Sequence, residues 1–150
     1  MAILSGKEIE VRLQSVAPAS ISLQIPPSCL VDMQGEPLEY EEGAALSVRF
    51  PVLGRYANPL GHMQGGFIVA ALDNTMGPFS YLIAPPSVTS ALNTQYLRPV
   101  TPGMPFITCY ARLMERTRNT LYIEGEARSP EDKVLARCQA TCQILPSGTG

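Results

Sequence analysis

The sequence carries little charge and almost no histidine. Charged residues make up 16% of its 150 residues, the net charge is −2, and no block of like charge occurs. The basic stripe left by a nucleic-acid partner is therefore missing. His62 is the single histidine, and Cys29, Cys109, Cys138 and Cys142 form no CxxC pair, so a zinc site is a poor reading. The expectation for these thiols is reduced core packing, with Cys138 and Cys142, four apart in a strand-like stretch, facing one side. No GxSxG occurs, which disfavours a serine hydrolase. Apolar runs such as Phe67 to Leu72 are far too short to span a bilayer. Lys7, Glu8 and Glu10 break up the stretch where a signal peptide would need an apolar centre. A cytoplasmic protein with no membrane or nucleic-acid partner is expected.

Hydrophobic residues make up 45% of the chain, and its length suits one domain with one core. Residues 1–34 read as a helical extension. Ile9, Leu13 and Val16 fall at helical spacing, Ser5 and Glu8 suggest a capping box, and Pro18, Pro26 and Pro27 leave short or irregular pieces. Residues 35–53 read as a hairpin turning at Glu42-Gly43, with Leu46, Val48 and Phe50 alternating on the return strand. Gly65 to Ile83 is the one long helix, apolar nearly all round and interrupted by Gly77-Pro78, which predicts a kink or an early end. Strands follow at 88–97, 106–115, 121–128 and 134–145. The tail from Pro146 to Gly150 is expected to fray. Two strands, a buried helix and a further meander predict an α+β fold, a long central helix wrapped by a curved antiparallel β-sheet. A helix apolar on every side also needs a second layer, which a two-fold dimer supplies.

Asp73 is the only formal charge between Arg55 and Arg98, and it lies inside the most apolar helix. Burying a carboxylate costs several kcal/mol unless it is paired or hydrogen-bonded. No Lys or Arg stands within two turns of it on the helix. A bond to Asn74, Thr75 or nearby backbone would give it a purely structural role; an apolar cleft would instead raise its pKa and make it a general base. The helix starts with Gly65-Gly66, poor helix formers that suggest a close approach to the backbone, where unpaired N–H groups can hold a carbonyl oxygen. Asp73 lies seven residues past Gly66, roughly 10 Å along the axis. One carbonyl cannot readily touch both. Two antiparallel helices around a dyad would bring Asp73 of one subunit to Gly66 of the other, so active sites shared across a dimer interface are expected.

Asn58-Pro59-Leu60-Gly61-His62-Met63-Gln64-Gly65-Gly66 followed by Asp73 resembles the N-x-x-G-x-x-H-G-G-x6-D signature of hotdog-fold acyl-CoA thioesterases of the phenylacetyl-CoA thioesterase type. Leu92 to Pro99 with Gly103, and Leu135-Ala136-Arg137, are similar to that family's later strands. The resemblance covers residues 35–145 and implies a hotdog core there. It implies that Asp73 is the nucleophile or the base that activates water. Asn58 with the N–H of Gly65 or Gly66 would hold that water or polarise the thioester carbonyl, and Thr89 would place a hydroxyl near the water. CoA would be part of the substrate, with no separate cofactor. Arg98, Arg116 and Arg118 are candidate phosphate contacts, equally accounted for as solvated strand-end charges. The implied partners are the acyl-CoA substrate and further copies of the chain, as a homodimer or dimer of dimers.

Gln64 stands where the family usually has His. It can orient a carbonyl or a water but carries no proton at neutral pH. His62 lies two residues upstream in a loop, and with Met63 is a candidate substrate contact, although loop packing also explains it. Met63, Met76, Phe79 and Tyr81 would permit an aromatic or medium-chain acyl pocket, or simply be core. Two other readings compete. A hotdog dehydratase or hydratase needs a His beside the carboxylate. A non-catalytic acyl-CoA-binding protein would have kept the fold and lost turnover.

Overall fold

The return strand of the expected hairpin alternates because one face must be buried, and its turn closes where Gly43 takes a φ of 74°. The computed structural model describes residues 2–146. In chain order the elements are β1 (Ile3–Ser5), α1 (Lys7–Ser15), α2 (Ser28–Asp32), β2 (Glu36–Glu41), β3 (Ala45–Pro51), α3 (Gly65–Ile83), β4 (Ser87–Tyr96), β5 (Phe106–Arg116), β6 (Thr120–Arg128) and β7 (Val134–Ile144). The strands form one seven-stranded sheet in the order β1-β2-β3-β5-β6-β7-β4, with every pairing antiparallel. The sheet wraps α3, the hotdog arrangement. No helix among the described residues is long and apolar enough to cross a membrane.

Two placements differ from the sequence reading. The N-terminal extension is not only helical: Ile3–Ser5 pairs with Glu39–Glu41 of β2. Three residues are too few to show a period, so only the partner strand makes this one. The capping box is half formed. Glu8 accepts the Ser5 backbone N–H at 3.0 Å, but the Ser5 hydroxyl also turns to Glu8 rather than to the helix. β4, next to β5 in the chain, joins the sheet at its far edge beside β7. The true meander is β5-β6-β7.

The helix holds its place by burial on the sheet side. Leu72, Met76 and Phe79 are at most 1% exposed, each contributing about 1.5–3 kcal/mol relative to exposure. α3 continues through Pro78 to Ile83. The proline removes the donor to the Asn74 carbonyl without ending the helix, and the Ser80 hydroxyl bonds the Gly77 carbonyl at 2.6 Å. At the far end Arg116 donates to the Ile83 carbonyl at 3.2 Å, a cation where the helix dipole favours one.

Close approach of α3 to the sheet depends on Gly125 in β6. A Cβ there would stand 2.9 Å from Met76 Sδ and 3.3 Å from Leu72 Cδ2. Gly125→Val is expected to cost about 1–3 kcal/mol by overpacking. Thermal denaturation checks this; an unchanged Tm would show that Met76 yields freely.

Candidate active site

Asp73 projects from the middle of α3 and is half-buried. Its one side-chain partner among the described residues is the Thr89 hydroxyl, which donates to Asp73 Oδ1 at 3.3 Å. Among the described residues no cation lies within ion-pairing distance. Burial lifts the carboxyl above its ordinary range, and the Thr89 bond pulls part of the way back. The chain delivers Thr89 by reversing at Pro85-Pro86, where the Ser87 hydroxyl donates to Ser80 at 3.1 Å and staples the start of β4 to α3. Buried thiols lie nearby. Thr89 faces Cys142 across the β4–β7 pairing and Thr94 faces Cys138. Burial raises both thiols, with Asp73 adding to the effect, so neither supplies a ready thiolate.

A β-bulge sets the direction of Thr89. The β4–β7 register slips between Thr89 and Ala91, leaving Ser90 as the extra residue. Thr89, Leu92 and Thr94 thereby pair with Cys142, Ala140 and Cys138, all buried. In a regular strand Thr89 and Leu92 would point to opposite faces; the extra residue puts both toward the helix. Further along the same face the Tyr96 hydroxyl reaches the Gly65 carbonyl, donating at 2.9 Å. Alternation in the sequence gave no sign of the bulge or of Tyr96.

At the helix start, Gln64 is the N-cap, with its side chain exposed and making no capping bond. Among the described residues the N–H groups of Gly65 and Gly66 find no acceptor, as expected of a first helical turn. The two glycines do different work. A Cβ on Gly65 would meet the Tyr96 ring at 3.0 Å, so the close neighbour there is this chain's own tyrosine. A Cβ on Gly66 would meet only the Gln64 side chain, at 2.8 Å from Oε1. Gly66 thus keeps an open N–H face screened by one movable amide. Asn58 stays in the loop: its Oδ1 accepts from the N–H of Leu60 at 2.9 Å and of His62 at 3.0 Å. Only its Nδ2 is left to meet a ligand.

The remaining sequence candidates scatter. His62 is held in the same loop, its carbonyl accepting the Asn58 N–H at 2.7 Å. Met63 is 4% exposed and packs in the core. Met76 and Phe79 are core as well, whereas Tyr81 lines a cavity. Arg98 donates to the Val134 carbonyl at 2.7 Å at one end of β7, and Arg116 sits across from Leu121 and Cys142 at the other end. Val134 and Cys142 stand eight residues apart on β7, roughly 26 Å, and Arg118 lies exposed in the turn beyond Arg116. Arg98 and Arg116 therefore do not form one cluster within a chain.

Asp73 and Thr89 stand in the wall of a mostly apolar cavity of about 470 Å³. α3 from Asp73 to Tyr81 lines one side of this half-open cavity, and α1, the proline-containing stretch 23–27 and Leu30 of α2 line the side opposite. An isolated carboxylate at an apolar cavity, with open N–H donors elsewhere on the same helix, suits hydrolysis of a neutral, polarised carbonyl compound with an apolar substituent.

The sequence profile of the thioesterase superfamily matches residues 60–136, from the loop before α3 into β7. A phenylacetic acid degradation-related protein from Ralstonia eutropha JMP134 is similar in structure, with a TM-score of 0.75 and 26% identity over 91% of this chain and 98% of that one. A conserved protein from Pseudomonas aeruginosa gives 0.71 and 29% identity over 79% of this chain and 94% of that one. A Streptococcus mutans protein solved with acetyl-CoA shares the fold, at 0.69 and 19% identity over 75% and 90%. No curated protein matches the sequence. The matched profile takes in α3 with Asp73 and the strands that hold it, and the chain belongs to the thioesterase superfamily, on a hotdog fold.

Proposed function

We propose that the protein hydrolyses acyl-CoA thioesters to a free acid and CoA, with Asp73 as general base at sites shared between two subunits. The observation that carries this is the half-buried Asp73 carboxylate, which among the described residues has no ion-pair partner, accepts a side-chain hydrogen bond from Thr89 alone, and is open to an apolar cavity. Asp73 takes a proton from water, whose oxygen attacks the thioester carbonyl carbon. The oxyanion is held by N–H groups at the start of α3. Collapse breaks the C–S bond, and the leaving thiolate regains a proton to give free CoA. Within one chain the Gly66 N–H is too far from Asp73 for a single carbonyl. The outer edge of β4 is unpaired and exposes Val88 (51%) and Tyr96 (53%). An edge of this kind favours cover by a second copy, which sets helix against helix. Gln64 and the Asn58 amide then serve as carbonyl or water ligands, and Arg98 or Arg118 as phosphate contacts.

Release of free thiol from a panel of acyl-CoAs tests the activity. Binding without release would instead support a non-catalytic acyl-CoA-binding protein. A hydratase or dehydratase needs an imidazole at the carboxylate, and His62 stays in its loop.

Thr89→Val should shift the acid limb of the pH–rate profile upward. The Thr89 bond favours the charged form of Asp73, so its loss raises an already raised pKa. Less base is then ionised at a given acidic pH, and the rate recovers only as the pH rises. An unmoved limb in kcat/KM would separate Thr89 from the ionisation of Asp73.

A further inference from the structure

We infer that the N-terminal extension, residues 9–30, roofs the acyl chamber and fits it to an uncharged acyl chain of about eight to twelve carbons. This rests on the reading of Asp73 as the hydrolytic site. Close to half of the cavity wall comes from the extension, with Ile9, Leu13, Leu23 and Leu30 facing Leu46 and Val48 of the sheet and the Asp73–Tyr81 stretch of α3. The roof lies outside the residues matched by the superfamily profile.

Size decides between acyl classes. A cavity of about 150 Å³ holds one benzene ring in a protein core, and this one is about 470 Å³. A single-ring acyl group would leave most of it unfilled, forfeiting transfer and dispersion energy. Length agrees. The floor from Asp73 to Tyr81 advances about 12 Å along the helix. An extended chain advances about 1.2 Å per bond, so on the order of ten bonds fill that depth. Charge narrows the choice further. The wall holds two carboxylates, Glu10 and Asp73, and no Lys, Arg or His. A chain ending in its own carboxylate would lose hydration and gain only like charge. Pro26 and Pro27 in the roof limit its backbone freedom, which keeps the chamber formed without substrate.

The test is thiol release from straight-chain acyl-CoAs of two to fourteen carbons, phenylacetyl-CoA and the ten-carbon dicarboxylyl-CoA. Wild type is compared with Leu23→Trp, which fills the chamber from the roof, and Gly77→Leu, which fills it from the floor. A Cβ on Gly77 meets nothing within 4 Å, so the second variant enters the chamber from the helix and not from the extension. For wild type, kcat/KM should peak between octanoyl and dodecanoyl. It should exceed that for acetyl or phenylacetyl by at least about tenfold, several buried methylenes each contributing roughly three- to fourfold. The ten-carbon dicarboxylyl group should fall well below decanoyl. In both variants the ratio of decanoyl to butyryl kcat/KM should drop by about tenfold or more. A wild-type optimum at acetyl or phenylacetyl, or variants that lower every chain length equally, would overturn the inference while leaving the thioesterase standing. No release from any substrate would sink the hydrolytic reading instead. The chamber is then judged by binding: tighter capture of decanoyl-CoA than of acetyl-CoA, weakened by Leu23→Trp, supports it, and equal affinities refute it.

Discussion

Asp73→Asn is expected to lower turnover by on the order of 10²–10⁴-fold and at the same time to raise the melting temperature at neutral pH. The first effect follows from removing the base: the amide keeps an oxygen for the Thr89 hydroxyl, so geometry survives and proton transfer does not. The second follows from the raised pKa, whose main cause is burial. A carboxyl that holds its proton more tightly when folded loses stability as the pH rises from the unfolded pKa, about 4, through the folded one. Above that window the penalty is complete. Asn has no charge to desolvate, so the variant should gain most at pH 7 and nothing below the ordinary carboxylate range. Thiol-release kinetics and thermal melts across pH read the two effects separately. A near-normal rate would remove Asp73 from the mechanism. A lower Tm at pH 7 would make the carboxylate a structural ligand of Thr89, with no stability withheld for chemistry.

The lone carboxylate was legible because burial of charge is a cost that sequence displays: one Asp in an apolar helix, with no cation a turn away. The bounds of α3 were legible for a similar reason, an apolar period starting at two glycines. β7 announced itself by alternation from Val134 to Ile144, and Ala136, Cys138, Ala140 and Cys142 of that run are buried. What was hidden depends on partners remote in the chain. β1 exists only because β2 offers an edge. Local pattern could not place β4 beside β7, since nothing in its own residues names the neighbour. The bulge at Ser90 inverts the alternation that a period-two reading assumes. Gly65 was read as room for a ligand, yet the ring that fills the space is Tyr96, thirty-one residues on. The proline-rich stretch looked irregular and is so; its role as a chamber roof follows from where it lies, over α3.

Mixing two inactive variants should restore activity, and this result bears directly on the shared site. Gly66→Val puts a branched side chain where the Gln64 amide now rests 2.8 Å from the Cβ position, displacing that amide and crowding the open N–H donors. The site is exposed, so the fold should tolerate it, with turnover down by on the order of 10²-fold or more. If Asp73 of one subunit works with Gly66 of the other, a dimer of one Asp73→Asn chain and one Gly66→Val chain has one site with both lesions and one with neither. Random exchange of equal amounts makes half of the dimers mixed, so about a quarter of the sites are intact. Activity should rise from near zero toward about a quarter of wild type as subunits exchange, on the time scale of exchange itself. If each site is built within one chain, every site in the mixture keeps a lesion and activity stays at the average of the two variants. Subunits that do not exchange can be denatured and refolded together, with mixed dimers counted by differential tags. Mixed dimers without recovery would place the oxyanion donor for Asp73 on Asp73's own chain, and would require a donor other than the Gly66 N–H, because the helix holds the two roughly 10 Å apart.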